Sequence, residues 1–368
     1  MNLDEIRELI PTSKKYTYMN HAACAPLPIP VQEAQRKYLE ERSLEAEVAF
    51  DSWLEHAEET RQLIAEFINA SCEEIAFLKN TSEGINLVAN MLTYQKGDNV
   101  VTTDLEFPSN YMPWLDLQRK GVELKVVKNK EGKLLYEDFE KVVDDNTTCL
   151  AVSHVEFATG FKNDLNALSE LCRDHNAYFF VDPIQSLGAL TLNVQETPMD
   201  FFSSGCYKWL MSELGISVFY IRKELIDTFH PPDIGWFSLK DYENYENFDK
   251  ENPEIADTAR KFECGNLNFY GIYTLYASLQ FLNTFPTVEQ RVMELSTYLM
   301  DRLTEEGFTV QTPQEHAGIV NFKVKKSKEL VEKLKKKGII VSSRAGGIRV
   351  SAHFWNTTEE LETLLRNL

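Results

Sequence analysis

The feature that most constrains this chain is a recurring unit: a short apolar run, a polar turn, then a helical pattern. Ile75–Leu78, Val100–Thr103, Leu124–Val127, Leu150–His154, Tyr178–Val181, Phe201–Ser203 and Ile216–Ile221 are short, rich in branched and aromatic residues, and bounded by polar or turn residues. Runs of this kind read as strands buried on both faces. Glu83–Met91, Ser109–Lys120 and Leu165–Asn176 carry the helical patterns between them. Strands alternating with helices predict an α/β fold built on a mainly parallel sheet with helices on both faces. At 368 residues the chain can bury a large core and fits one large domain or two unequal ones.

The rhythm stops at Asp233–Ala259, an acidic and aromatic stretch without a period, which reads as a surface excursion. Helical patterns follow at Ile272–Phe285 and Thr287–Glu306. Strands return at Gly318–Val324, Ile339–Val341 and Ile348–Ser351, with a basic amphipathic helix at Ser327–Lys337 and a capped helix from Thr357. This tail reads as a smaller α+β domain, so the expected division is 16–263 for the large domain and 264–368, with 1–15, for the small one.

A net charge of -19 argues against nucleic acid or an anionic membrane as partner. The N-terminal MNLDEIRELIPTSKKY has acids inside an amphipathic pattern and lacks the apolar core of a secretory signal. No run approaches the roughly 20 apolar residues of a membrane span. The six cysteines are scattered without a CxxC pair, which suits reduced thiols in the cytoplasm, and neither they nor the seven histidines have metal-site spacing.

Four segments share one chemistry. Asp182 follows the strand Tyr178–Val181, and the carboxyl ends of parallel strands are where open α/β sheets bind ligands. Pyridoxal 5′-phosphate works as an electron sink when a carboxylate keeps its ring nitrogen protonated. Asp182 suits that role, and Gln185 could donate to the ring oxygen, although Asp-Pro after a strand also reads as a plain turn. Lys208, in Ser203-Ser204-Gly205-Cys206-Tyr207-Lys208-Trp209, sits in an apolar stretch after the next strand. Desolvation there would make its amine nucleophilic, and the small residues before it could meet a phosphate. A strand-end lysine alone would be a surface residue. The spacing, an acid, a Gln three positions on and a Lys 26 positions on, is what sets it apart. Lys79–Gly84 joins a strand to a helix and can form an anion site or a simple capping box. Phe107, in Glu106-Phe107-Pro108-Ser109-Asn110, could stack on a cofactor ring or fill core.

The set NTSEG, EFPSN, VDPIQSLG, SGCYKWL, KFECGNLN and RAGGIRVSAHFWNT, in this order from about Met19 to the C-terminus, resembles the class V aminotransferase family of fold-type I pyridoxal-phosphate enzymes. That family includes cysteine desulfurases, selenocysteine lyases and isopenicillin-N-epimerase-like proteins. The resemblance implies a seven-stranded large domain and a homodimer with shared active sites. It also implies that Lys208 forms the Schiff base, Asp182 pairs with the pyridinium, Gln185 touches the ring oxygen and Phe107 stacks. Thr81, Ser82 and Ser203 or Ser204 would hold the phosphate, with Gly265 and Asn266 supplied by the other subunit. Arg349 would grip the carboxylate of a small amino-acid substrate, and Asn20 and His21 would line the pocket.

Three departures from the family pattern matter. The related desulfurases carry a persulfide cysteine in a loop like RxGxHC. Here that loop is Arg344-Ala345-Gly346-Gly347-Ile348-Arg349, with no cysteine. Phe157 stands near a position where many relatives have Asn, and Asn266 where they often have Thr. Cys24 and Cys206 read as small buried thiols, with a place near the cofactor as the alternative. The resulting expectation is an aminotransferase-type reaction. The alternatives are a carbon–sulfur or carbon–selenium β-lyase, an amino-acid epimerase, and, in another class, a non-catalytic binding module.

Overall fold

The computed structural model describes residues 1–244 and 246–368. Twelve strands occur among them: β1 Thr17–Tyr18, β2 Ile75–Leu78, β3 Asn99–Thr103, β4 Glu123–Val127, β5 Thr147–Ser153, β6 Tyr178–Asp182, β7 Phe201–Gly205, β8 Ser217–Ile221, β9 Ile319–Lys323, β10 Ile339–Ile340, β11 Ser342–Arg344 and β12 Gly347–Ser351. The seven expected from apolar runs form one sheet in the order β2-β8-β7-β6-β5-β3-β4. Only β8 runs against its neighbours, β2 and β7. The remaining pairings are parallel.

Both faces of this sheet are covered, which is why its strands show no polar alternation. Phe179, Val181 and Phe202 face one apolar cluster, and Phe180, Phe201 and Phe219 face another. Each buried phenyl contributes about 1.5–3 kcal/mol relative to exposure. The helix Thr81–Met91 crosses one face so closely that a methyl group added at Gly84 would lie 2.3 Å from Ser203 Oγ.

Two long helices, Ile29–Leu44 and Phe50–Ile68, escaped the sequence reading. In Ile29–Leu44 only Val31 is fully buried, so no apolar stripe announced it. Both pack against the helix Phe269–Asn283. The expected helix Ser109–Lys120 is broken into a 3-10 turn Pro108–Asn110, a short helix Met112–Asp116 and a second turn Leu117–Lys120. Pro113 supplies no N–H inside that stretch, which prevents continuous helical bonding. The excursion after Asp233 holds only short 3-10 turns, Trp236–Ser238 and Tyr242–Asn244, before residue 245.

The C-terminal part is a three-stranded antiparallel sheet, β11-β12-β9, backed by the helices Val288–Glu305, Ser327–Lys336 and Thr358–Leu365. Ile348 and Val350 point into their shared core. Asn321, Arg349 and Ser351 alternate with the apolar residues and occupy the opposite face. A strap from Thr17 to Ala25 ties this sheet to the large one. Thr17–Tyr18 pairs with Ile339–Ile340, the N–H of His21 and that of Ala22 donate to Ser351, and the Ala25 N–H donates to Tyr207 O at 2.9 Å.

Candidate active site

Five of the segments singled out in the sequence leave the carboxyl ends of strands on the same edge of the large sheet. Thr81 follows β2, Phe107 follows β3, Phe157 follows β5, Asp182 ends β6 and Lys208 follows β7. Parallel strands point their carboxyl ends together, so residues far apart in sequence meet there.

Asp182 is 2% exposed. Its Oδ1 accepts the Ile184 N–H at 2.9 Å, and its second oxygen has no hydrogen-bond partner among the described residues. Burial raises its pKa to about 6, against the pull of the Ile184 N–H and the nearby Lys208 charge. Lys208 is 8% exposed, and its amine has no hydrogen-bond acceptor among the described residues. Burial lowers its pKa to about 8. Asp182 opposes that shift, and the guanidinium groups of Arg349 and Arg344 add to it. The amine lies 5.8 Å from the centre of the Phe107 ring and 5.7 Å from that of Tyr207.

Trp209 fixes the backbone beside Lys208. Its indole N–H donates to Gln185 Oε1 at 3.1 Å, and its carbonyl accepts from His353 Nε2 at 2.9 Å. His353 Nδ1 accepts the Phe354 N–H, so Nε2 carries the proton. Gln185 also donates to Ala22 O, leaving one amide proton for a ring oxygen. Gly188 permits close approach here. It has φ +96°, and an added methyl would sit 2.6 Å from the Trp209 backbone.

At the start of the helix Thr81–Met91, Asn80 accepts the Glu83 N–H. The N–H groups of Thr81 and Ser82, the first two helical positions, have no partner within the helix. Thr81 Oγ1 accepts the Gly205 N–H at 2.9 Å, and Ser82 Oγ donates to Ser109 Oγ. The expected serines are placed differently. Ser203 Oγ lies 3.3 Å from Ser217 Oγ beneath Gly84, and Ser204 points to the other face of β7. Gly205, whose side chain would press on Thr81 Oγ1 at 3.3 Å, is the residue of that turn beside the helix N-terminus.

Arg349 is 2% exposed and has no acidic partner among the described residues. Its Nη1 donates to Phe157 O at 2.8 Å and its Nε to Ser342 Oγ at 3.2 Å. Burial lowers its pKa to about 9, with Arg344 adding to the effect. Phe157 meets Phe107 edge-on at 5.2 Å, so the position where relatives often have Asn is an aromatic wall.

Other expected residues fall outside the open cleft. His21 is completely buried among Tyr18, His353 and Trp355, with Nδ1 on Ser351 O, because the strap folds its ring under the sheet junction. Asn20 is half-buried and its Oδ1 is unpartnered. Gly265 and Asn266 lie in a turn at the surface without a hydrogen bond to the cluster. The buried pair Arg61–Glu263, at 2.7 Å, holds the chain just before that turn. Cys206 is fully buried, whereas Cys24 is exposed, which corrects its reading as a buried thiol.

Glu106 escaped the sequence reading. It accepts the N–H and hydroxyl of Ser153, both at 2.6 Å, and the amide of Asn110. Ser153 is the register partner of Asp182, so Glu106 braces the floor of the site. A single Glu before Phe107 carries no sequence signal for that role.

The donor set fits pyridoxal 5′-phosphate. An unpartnered carboxylate oxygen, an unpartnered buried amine and free N–H groups beside a glycine-made space match its ring nitrogen, aldehyde and phosphate. Residues 17–366 match the family model for class-V aminotransferases. The chain belongs to that family. Members are pyridoxal-phosphate-dependent transferases and lyases, and pyridoxal 5′-phosphate is the cofactor of this enzyme. Among relatives, a probable cysteine desulfurase of Pyrococcus abyssi is 32% identical, covering 98% of this chain and 96% of the relative. An uncharacterized Bacillus subtilis aminotransferase, YcbU, is 28% identical over 97% and 95%. The solved cysteine desulfurase of Thermococcus onnurineus NA1 superposes with a TM-score of 0.89 at 30% identity, covering 99% and 96%.

Proposed function

We propose that this class-V enzyme reacts a small α-amino acid at its Cα, in an aminotransferase-type reaction. The observation that carries the reading is Arg349, a buried guanidinium without an acid, within electrostatic reach of Lys208. A guanidinium held this way matches a substrate α-carboxylate.

When bound, pyridoxal phosphate supplies an electron sink for the pair left at Cα. The chain's own residues do the rest. Asp182 holds the proton of the ring nitrogen, Phe107 covers the ring, and Gln185 offers its remaining amide proton to the ring oxygen. The N–H groups of Thr81 and Ser82 hold the phosphate, with Gly205 giving it room. Lys208 anchors the cofactor, and its amine, with a pKa lowered by burial to about 8, takes and returns the α-proton near neutral pH.

A second reading is β-elimination from a cysteine-like substrate, favoured by the relatives named cysteine desulfurases. Transfer of sulfur through a persulfide on the loop before Arg349 is disfavoured. Arg344 and Gly347 pair directly across a two-residue turn, Ala345-Gly346, with both φ values positive, and this tight hairpin has no cysteine. The two readings separate on product. The holoenzyme is offered a panel of amino acids with and without an oxo-acid acceptor. Conversion that depends on the acceptor supports transamination. Pyruvate released from β-chloroalanine or cysteine without acceptor refutes it in favour of the lyase.

We also infer a homodimer, in which Gly265 and Asn266 complete the phosphate site of a second copy. The exposed apolar residues Phe107, Met112, Leu214 and Ile234 support this. The helix Phe269–Asn283 shares the large core, so we move the proposed domain boundary from 263/264 to near Pro286. A cytoplasmic location fits six free cysteines, and among the described residues no helix is long and apolar enough to cross a membrane.

A further inference from the structure

Arg344 has no role in the site as described above, yet the hairpin geometry places it there. In β11 and β12, Ser342 is the register partner of Arg349, and Arg344 that of Gly347. Side chains two residues apart share a face, so Ser342, Arg344 and Arg349 project from the same side. The contact from Arg349 Nε to Ser342 Oγ agrees with that geometry. Ser343 and Ile348 project oppositely, Ser343 onto Ser327 and Ile348 into the small core. Diagonal neighbours across a hairpin lie within reach of long side chains, and glycine at 347 leaves no side chain between the two arginines.

The hairpin tip is held in place from below. Asn321, fully buried, donates its amide to Arg344 O at 3.1 Å and to Ala158 O at 2.8 Å. Gln311 donates to Asn321 Oδ1 at 2.9 Å and to Ala345 O. A methyl group at Gly347 would lie 2.3 Å from both Asn321 Oδ1 and Phe322 O, so the glycine is required by this packing. The backbone of Arg344 is thus fixed, while its guanidinium is exposed and bonds only to the neighbouring Ser343 O. Among the described residues it has no acidic partner, in a chain with 57 acids and 38 Lys and Arg. Two guanidinium groups on one rigid face, both lacking an acid, repel each other until anions arrive.

We propose that Arg344 is a specificity-determining residue, and that the substrate is an amino acid whose side chain bears a second anionic group, such as a carboxylate or sulfinate. This rests on the reading of Arg349 as the α-carboxylate site. Arg349, buried on the cleft side of Phe157, takes the α-carboxylate. Arg344, at the exposed tip, takes the distal acid. A side chain without charge leaves Arg344 in water and gains nothing from it.

The test is calorimetric binding of two unreactive probes to the holoenzyme, succinate with two carboxylates and propionate with one. Succinate is expected to bind more tightly. Arg344→Ala should weaken succinate about tenfold, the scale of one charge-assisted contact, and leave propionate unchanged. Arg344→Lys should recover part of the loss, and added salt should weaken succinate more steeply than propionate. If Arg344→Ala leaves succinate affinity unchanged while Arg349→Ala abolishes binding of both probes, the Arg344 proposal is overturned and the carboxylate reading stands. If Arg349→Ala changes neither probe, the reading beneath it fails as well. Unchanged cofactor absorbance and far-UV circular dichroism show that each variant has folded and loaded.

Discussion

Replacing Lys208, the proposed cofactor lysine, by methionine should make the cofactor-free protein more stable at neutral pH. Lys208 is 8% exposed and its pKa falls from 10.5 to about 8 on folding. A lysine with a depressed pKa binds fewer protons in the native state than in the unfolded chain between those two values. Its penalty is therefore complete below pH 8, shrinks as pH rises toward 10.5, and vanishes above. A pKa fall of that size corresponds to about 3 kcal/mol. Methionine has similar length, no charge and the flexibility to fill the same space. One opposing effect is present: Asp182 loses the positive neighbour that lowers its pKa, the last of the influences on that carboxyl. The net gain expected for Lys208→Met is thus about 2 kcal/mol at pH 7.

The assay is urea unfolding of both cofactor-free proteins at pH 7 and again at pH 10.5. The variant should unfold at higher urea at pH 7, with an unchanged slope, and the difference should narrow at pH 10.5. A variant no more stable than the parent at pH 7 would refute the claim that burial of an unpaired ammonium dominates here. A gain that persists undiminished at pH 10.5 would point to packing rather than charge.

Borohydride reduction of the holoenzyme should leave a cofactor adduct on the peptide containing Lys208, and Lys208→Ala should leave none by mass spectrometry. Gly188→Ala, at φ +96° and 2.6 Å from the Trp209 backbone, should displace Lys208 and lower cofactor retention on dialysis; full retention would contradict the packing argument. Arg61→Ala strands Glu263 in the core and should destabilise the fold by about 3–5 kcal/mol, read by urea unfolding. Its effect on cofactor retention should exceed that of the exposed-pair variant Lys14→Ala, because Glu263 holds the chain leading to Gly265.

The seven strands of the large sheet were legible because they are buried on both faces and leave a continuous apolar trace. The strand-end positions of Asp182, Lys208 and Thr81 were legible for a related reason: strand ends in a parallel sheet are located once the strands are. What remained hidden depends on tertiary contact. The helix Ile29–Leu44 has a polar surface nearly all round and shows no stripe. That Gly205, and neither Ser203 nor Ser204, lies beside Thr81 was hidden by strand alternation, because a glycine has no side chain to signal itself. The complete burial of His21 was not legible because the strap Thr17–Ala25 forms only where two sheets meet. Arg344 was visible only as part of a loop that lacked a cysteine; the register of β11 with β12 was needed to put it on the same face as Arg349.

The electrostatics of this cleft differ from those of a structural ion-pair network. The buried pair Arg61–Glu263 satisfies itself: each charge has the other, and the arginine also bonds Ile75 O. Asp182, Lys208 and Arg349 are nearly as buried but are left incomplete, with an open carboxylate oxygen, an amine without an acceptor and a guanidinium without an acid. Folding alone does not stabilise such charges, and their shifted pKa values toward the neutral form record the cost. On the proposed assignment, a cofactor with a ring nitrogen, an aldehyde and a phosphate, followed by a substrate carboxylate, would supply the missing partners. On that assignment the cost of burying these charges and the affinity of the cleft for such ligands are one property, and Lys208→Met should trade the second for relief of the first.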